Sequence, residues 1–249
     1  MPELQRQTHE LNDYAILGRS LDKSHSVLVL ECNPDTIDPL LSGTANRLPH
    51  LHSDLIQTDV ITVNSEFDYQ TRLNELKAAQ MQYALVVVLG DANSQRLKLN
   101  ESRALTWTEF TYQSLLPFEP EYLLLLSTAS DREIPAHTFF ETVPMLKEVY
   151  STTVSDTKLQ TDVLKFMVSY LVNPAPSEYD RIFGQQIADK LLNSGVLTRW
   201  TWRDSLKQRV LSTFEMLNDS EKLEVAAEII RRTAQSSNSR FSQATPANA

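Results

Sequence analysis

Two continuous apolar runs limit the folds open to this chain more than any other feature of its sequence. They span residues 84–89 and 122–126, and a short polar turn follows each of them. A continuous apolar run of this length is typical of a parallel strand that is covered on both faces. In an open α/β sheet, ligands bind outside the carboxyl ends of the strands. We therefore expect a site at two turns, Gly90-Asp91-Ala92 and Ser127-Thr128-Ala129-Ser130.

Further strand and helix patterns alternate along the first two thirds of the chain. Strands are predicted at 26–31, 59–64 and, as the last strand, 148–152. Helices are predicted at 3–18, from a cap at Ser65 to Gln80, at 106–116 and at 137–146. A clear amphipathic pattern predicts a further helix from a cap at Ser155 or Asp156 to Leu171. This alternation predicts an α/β fold: a mostly parallel sheet with helices on both faces.

The pattern changes at Asn173-Pro174-Ala175-Pro176, after which we find no strand signal. Helices are predicted near 178–193, 203–217 and 220–235, and Asn218 with Glu221 has the spacing of a capping box. We predict three parts: an α/β domain at 1–173, a helical extension at 174–235, and a disordered tail at 236–249.

Composition and charge exclude several classes of function. The net charge is −9 and no stretch combines Lys and Arg with aromatic residues, so we expect no nucleic-acid partner. No apolar run reaches the ~18 residues of a membrane span, and the start of the chain lacks a signal-peptide pattern. We expect a cytoplasmic protein that does not bind membranes. The five glycines are too scattered for a dinucleotide or P-loop motif, and we expect no cofactor.

The residues around the two polar turns carry a family resemblance. Gly90-Asp91-Ala92 closes one strand, Leu97-Lys98-Leu99 and Leu105-Thr106 follow, and Ser127-Thr128-Ala129-Ser130 closes the next strand. Ser155-Asp156-Thr157 then leads into the helix that contains Phe166. From Val27 to Val172 this order resembles the caspase-like fold, in particular the bacterial caspase-like family called CHAT. In that family the first strand ends in Gly-His-Gly, and after a hairpin and a helix the next strand ends in a Ser-Ala-Cys turn.

The departures from the family pattern concern its chemistry. The resemblance places Asp91 at the position of the general-base histidine and Ala129 at the position of the nucleophilic cysteine. A cysteine peptidase needs a thiolate and an imidazole that helps to form it. The resemblance therefore implies a catalytically inactive module that binds a protein or peptide partner, or regulates one.

Strand-end carboxylates give an alternative interpretation. Glu31, Asp91 and Asp131 offer oxygen ligands for Mg²⁺. The same set is similar to a receiver domain, with Asp91 as phosphoacceptor and Thr128 as switch hydroxyl, although the strand at 148–152 lacks the expected lysine. Asp91 and Asp131 can equally be turn or helix caps. A Rossmann-like signalling module without a P-loop fits the same element order.

Three smaller sets of residues have both a functional and a structural interpretation. Cys32 with His50 or His52 is a possible thiol–imidazole pair, but a single cysteine at a strand end is more often a small buried hydrophobe. Ser127, Thr128 and Ser130 are hydroxyls that would need His137 to become nucleophiles, and such turns favour Ser and Thr for capping alone. Trp200 and Trp202 form either an exposed partner surface or part of the core.

Overall fold

The computed structural model describes residues 25–51, 56–127, 134–152, 154–172, 177–203, 218–224 and 227. The chain divides into two compact units, Met1–Trp202 and Arg203–Ala249. The first unit contains the sheet. The predicted helix at 3–18 lies outside the described residues.

A six-stranded sheet forms the centre of the first unit. The strands described are β1 Ser26–Cys32, β2 Gln57–Val63, β3 Leu85–Gly90, β4 Arg96–Lys98, β5 Ala104–Thr106, β6 Tyr122–Ser127, β7 Glu148–Thr152 and β8 Thr198–Thr201. The sheet order is β2-β1-β3-β6-β7-β8, and β4 pairs with β5 in a separate antiparallel hairpin. The first five strands of the sheet are parallel and β8 is antiparallel to β7. The predicted α/β class with a mostly parallel sheet is confirmed.

Helices cover both faces of this sheet. Those described in the first unit are α1 Pro39–Ala45, α2 Leu48–Leu51, α3 Glu66–Ala78, α4 Trp107–Phe110, α5 Ala136–Thr142, α6 Thr157–Val172 and α7 Glu178–Asn193. A 3₁₀ turn spans Pro34–Thr36, and α4 continues as a π-helical segment, Thr111–Leu115. One face of the sheet packs against α3, α4 and α5, and the other packs against α1, α2 and α6.

Local sequence explains where several of these elements begin and end. Ser65 caps α3 by accepting a hydrogen bond from the Asp68 backbone, as its position predicts. Thr106 and Glu109 form a complete capping box at the start of α4. Helix α5 ends at Thr142, short of the predicted residue 146, because Val143 is extended ahead of Pro144.

The prediction that no strand follows Asn173 was wrong. Strand β8 pairs with β7 along four residues, with Trp200 opposite Val149. Helix α7 and β8, which we assigned to the helical extension, therefore fall in the same compact unit as the sheet.

In the second unit the described residues include a helical stretch at 219–224. Its start is the predicted capping box, because the Glu221 backbone donates to Asn218 Oδ1 and the Asn218 backbone donates to Glu221 Oε2. Most of the predicted helix at 203–217 and the predicted tail at 236–249 lie outside the described residues. In the part of the chain that is described, no helix is both long enough and apolar enough to cross a membrane.

Candidate functional site

The strand order reverses at β1, and this places a crevice at one edge of the sheet. The chain passes from β1 to β2 on one side and then to β3 on the other. Such a switch point, at the carboxyl ends of parallel strands, is where open α/β sheets bind ligands. Here the two strand ends meet at Cys32 and Gly90. Gly90 has φ +145°, and a Cβ built on it would overlap the Cys32 carbonyl oxygen.

The two predicted turns lie next to each other across β3 and β6. Gly90 is in register with Ser127. The Ala92 backbone N–H donates to Ser127 Oγ at 3.1 Å, and this hydroxyl lies 3.2 Å from the Ala92 carbonyl oxygen. Gly90, Asp91, Ala92 and Ser127 therefore lie close together. The other predicted cleft residues, Thr128, Ala129 and Ser130, lie outside the described residues.

The β4–β5 hairpin is attached to this edge by backbone hydrogen bonds. The Asn33 N–H donates to the Leu99 carbonyl at 2.6 Å, and the Lys98 N–H donates to the Asp91 carbonyl at 2.9 Å. Trp107 adds a side-chain bond, from its indole N–H to the Asn93 carbonyl at 2.7 Å. The hairpin is thus fixed against the ends of β1 and β3.

A cavity of about 400 Å³ lies between the hairpin and the end of β3, and we call it the hairpin cavity. Eight of its ten lining residues are polar or charged: Asp91, Asn93, Arg96, Lys98, Asn100, Glu101, Ser102 and Arg103, beside Ala92 and Ala104. From the sequence we expected Asp91 and Ala92 at this site, but not the hairpin residues. No local signal marks Arg96 and Lys98, because the residues that face them on β5 are set by strand pairing.

A second cavity of about 380 Å³ is lined by Gly90 and by residues of the α1 and α6 regions. Apolar side chains such as Ile37 and Leu126 share its walls with Asp35 and Asp38. Asp38 caps α1 through the Leu40 backbone and accepts a hydrogen bond from Thr157 at 3.2 Å. Gly90 therefore stands between two cavities of different character.

The strand-end carboxylates are not assembled as a metal site in the part that is described. Glu31 is buried, and its Oε2 accepts a hydrogen bond from Thr62 at 2.7 Å. By strand alternation it points with Val27 and Val29 toward the α1 and α6 face, whereas Asp91 lines the hairpin cavity. No group of three metal-binding side chains is found among the described residues. Asp131 lies outside them.

Cys32 is a buried core residue. Its side chain has no exposed surface, and burial, with a smaller effect of the Glu31 charge, raises the pKa of the thiol from 9.0 to about 12. A thiol with such a pKa is protonated at neutral pH and is a poor nucleophile. The side chains of His50 and His52 lie outside the described residues.

The hydroxyl and tryptophan candidates also find structural roles. Ser127 Oγ links β6 to the Ala92 backbone, and His137 is exposed on α5. Trp200 is 7% exposed and packs in the core beside α5. Trp202 remains half exposed, with its ring 6.2 Å from that of Phe140. The two tryptophans therefore do not form an exposed pair.

Neither a protein-family model nor a curated protein matches this chain.

Proposed function

We propose that this chain is a catalytically inactive caspase-like module that binds a peptide or protein partner at the carboxyl edge of its sheet. One observation carries this proposal. A hairpin and a helix separate β3 from β6, yet the two strands are neighbours with Gly90 in register with Ser127. That order and that adjacency are what the family resemblance implies for the histidine and cysteine turns.

The residue types at these turns support binding without covalent chemistry. Asp91 follows β3 where the resemblance expects a histidine, and the sequence has Ala129 where it expects a cysteine. The buried, protonated thiol of Cys32 offers no substitute nucleophile. Without a thiolate and an imidazole at these two positions, the acyl transfer of a cysteine peptidase has no route through them.

The cavities support a retained binding role. Each lies in the range of volumes, roughly 300–1,000 Å³, that ligand pockets occupy. Both touch the β3 end, at Gly90 or at Asp91. A partner segment that crosses the switch point would therefore contact the residues that flank the former catalytic positions.

The first experiment tests whether the wild-type chain is inactive. We expect no turnover of a fluorogenic peptide library and no labelling by a thiol-directed probe in the native state. Turnover, or labelling of Cys32 that abolishes turnover, would overturn the proposal.

A second experiment tests the caspase-like placement of the two turns. Asp91→His combined with Ala129→Cys should react with iodoacetamide at pH 7 at least ~10-fold faster than Ala129→Cys alone, because a neighbouring imidazole lowers the pKa of a thiol. Cys32→Ala serves as the background for both variants. Equal rates would mean that positions 91 and 129 do not form a pair.

A further inference from the structure

We infer that the hairpin cavity binds an acidic side chain of the partner peptide through Arg96 and Lys98. This inference rests on the proposed function and adds the chemical class of the ligand. Arg96 and Lys98 alternate with the buried Leu97 on β4, so they project from the same face of the hairpin, and both line the cavity.

Within the described ranges, the two cations have no oppositely charged partner. Their cross-strand neighbours on β5 are Thr106 opposite Arg96 and Ala104 opposite Lys98, and neither is charged. Opposite charges at these positions would stabilise the hairpin, and like charges close together destabilise it. No ion pair joins Arg96 or Lys98 to another described residue. An anionic ligand would relieve their mutual repulsion.

The asparagines of the cavity add hydrogen-bond donors. Asn93 Oδ1 accepts from the backbones of Gln95 and Arg96, and Asn100 Oδ1 accepts from the backbones of Ser102 and Arg103. Since these turns use the carbonyl oxygens, each side chain keeps its NH₂ group for another partner. The polar groups left for a ligand are thus mainly donors, which suits a carboxylate.

The cavity also contains one further cation and two carboxylates. Arg103 is already balanced by Glu66 at 3.4 Å and Glu109 at 3.3 Å. Glu101 is exposed in the turn between β4 and β5, as Arg96 is on β4. Asp91 follows β3, and its carbonyl oxygen accepts a hydrogen bond from the Lys98 N–H. A ligand carboxylate on Arg96 and Lys98 must therefore lie clear of the Asp91 carboxylate.

The size of the cavity favours a side chain on a peptide over a small free anion. About 400 Å³ is far more than one carboxylate or phosphate fills, and Ala104 leaves the space opposite Lys98 open. The cavity also reaches the β3 end, where the proposed peptide lies. A Glu or Asp side chain can place its carboxylate on the cations while its backbone follows the strand end.

The test uses the full chain and two fluorescein-labelled decapeptides in fluorescence anisotropy. One alternates Glu and Ser, and the matched one alternates Gln and Ser. We expect the Glu peptide to bind at least ~10-fold more tightly, since hydrogen bonds to charged groups are about twice as strong as neutral ones. The assay is run at ~0.15 M salt, where the net charge of the chain is screened beyond about 8 Å. Arg96→Gln with Lys98→Gln should remove this preference, so that the Glu and Gln peptides bind this variant equally.

A second double variant controls for net charge. Lys165→Gln with Arg181→Gln removes two exposed cations from α6 and α7 and should change the affinity less than ~2-fold. Thermal melts of both double variants should match the wild type, because surface substitutions change stability little.

The outcomes separate the two proposals. Equal binding of both peptides would overturn the acidic ligand and leave peptide binding in place. No binding of either peptide would overturn both proposals. Displacement of the Glu peptide by inorganic phosphate at an equal concentration would show a site for free anions and would overturn the assignment to a peptide.

Discussion

Gly90 lies at the switch point, where the end of β3 packs closely against the end of β1. Replacing Gly90 with alanine tests that close contact directly. Its φ of +145° lies in a region that L side chains rarely adopt. An added Cβ would lie 3.1 Å from the Cys32 carbonyl carbon and 3.2 Å from the Cys32 Cβ, and it would overlap the carbonyl oxygen itself. These neighbours are backbone and buried side-chain atoms of β1, so they cannot rotate away.

Two costs add in Gly90→Ala. The backbone strain is about 1–3 kcal/mol, and forcing an extra methyl group into a packed region costs about 1–3 kcal/mol more. We therefore expect the free energy of unfolding to fall by about 4 kcal/mol, a large fraction of the ~5–15 kcal/mol typical of a domain. For a unit of this size that corresponds to a fall in Tm of roughly 8–16 °C.

Gly43→Ala is the matched control for this measurement. Gly43 lies within α1, and a Cβ there meets nothing within 4 Å. Alanine should stabilise that helix by about 0.5–1 kcal/mol. Urea unfolding followed by circular dichroism measures both variants. If Gly90→Ala were neutral or stabilising, as Gly43→Ala should be, the close contact between the β1 and β3 ends would be wrong.

Three further predictions concern Cys32, the hydrogen bond between Ser114 and Tyr69, and the cap of α4. Because the pKa of Cys32 is raised, the native state keeps a thiol proton that the unfolded state loses above pH 9. The free energy of unfolding should therefore fall by up to ~1.4 kcal/mol per pH unit between pH 9 and about 12. Urea titrations over that pH range should show a smaller fall for Cys32→Ala than for the wild type. Ser114→Ala leaves the buried Tyr69 hydroxyl without its partner and should cost about 1–3 kcal/mol, and adding Tyr69→Phe should recover part of that loss in the same unfolding assay. Thr106→Ala removes the capping box of α4 and should cost ~1 kcal/mol in urea unfolding, whereas an unchanged midpoint would contradict the cap.

The core of the fold was accessible from sequence because its strands are buried on both faces. In β3 and β6 each residue between the strand ends packs against helices, so both runs are continuously apolar. Ser65 and Thr106 then mark helix starts through side-chain caps whose spacing is local. These signals need no knowledge of distant residues, and the predicted elements at these places match the structure to within a few residues.

Strand β8 could not be predicted from local sequence signals. Of its four residues, Thr198 and Arg199 are exposed and only Trp200 is buried. A short edge strand of this kind has no apolar run and no clear alternation. It is a strand because β7 offers an unpaired edge, and the long helix α7 returns the chain to it. The position of this unpaired edge is set by the tertiary structure and cannot be read from the sequence of β8.

The location of the candidate site could be predicted from the sequence, but the hairpin cavity could not, because it depends on tertiary structure. Its place at the ends of β3 and β6 follows from parallel strands alone. The hairpin cavity depends instead on which residues of β5 face β4, and cross-strand pairing cannot be read along one strand. Arg96 and Lys98 are unremarkable surface cations in the sequence. They gain significance only when Thr106 and Ala104 are found opposite them.

The charge of the whole chain and the charge of this cavity lead to different conclusions about binding. A net charge of −9 disfavours a polyanion such as nucleic acid, because its many phosphates interact with the summed charge of the protein surface. A single carboxylate in the hairpin cavity interacts mainly with its nearest donors, because salt screens exposed charges beyond about 8 Å. Arg96 and Lys98 act at hydrogen-bond range, and the acidic residues elsewhere on the surface oppose them weakly. We therefore expect an acidic chain to select an acidic side chain at Arg96 and Lys98, which form no ion pair with another residue in the described part of the chain.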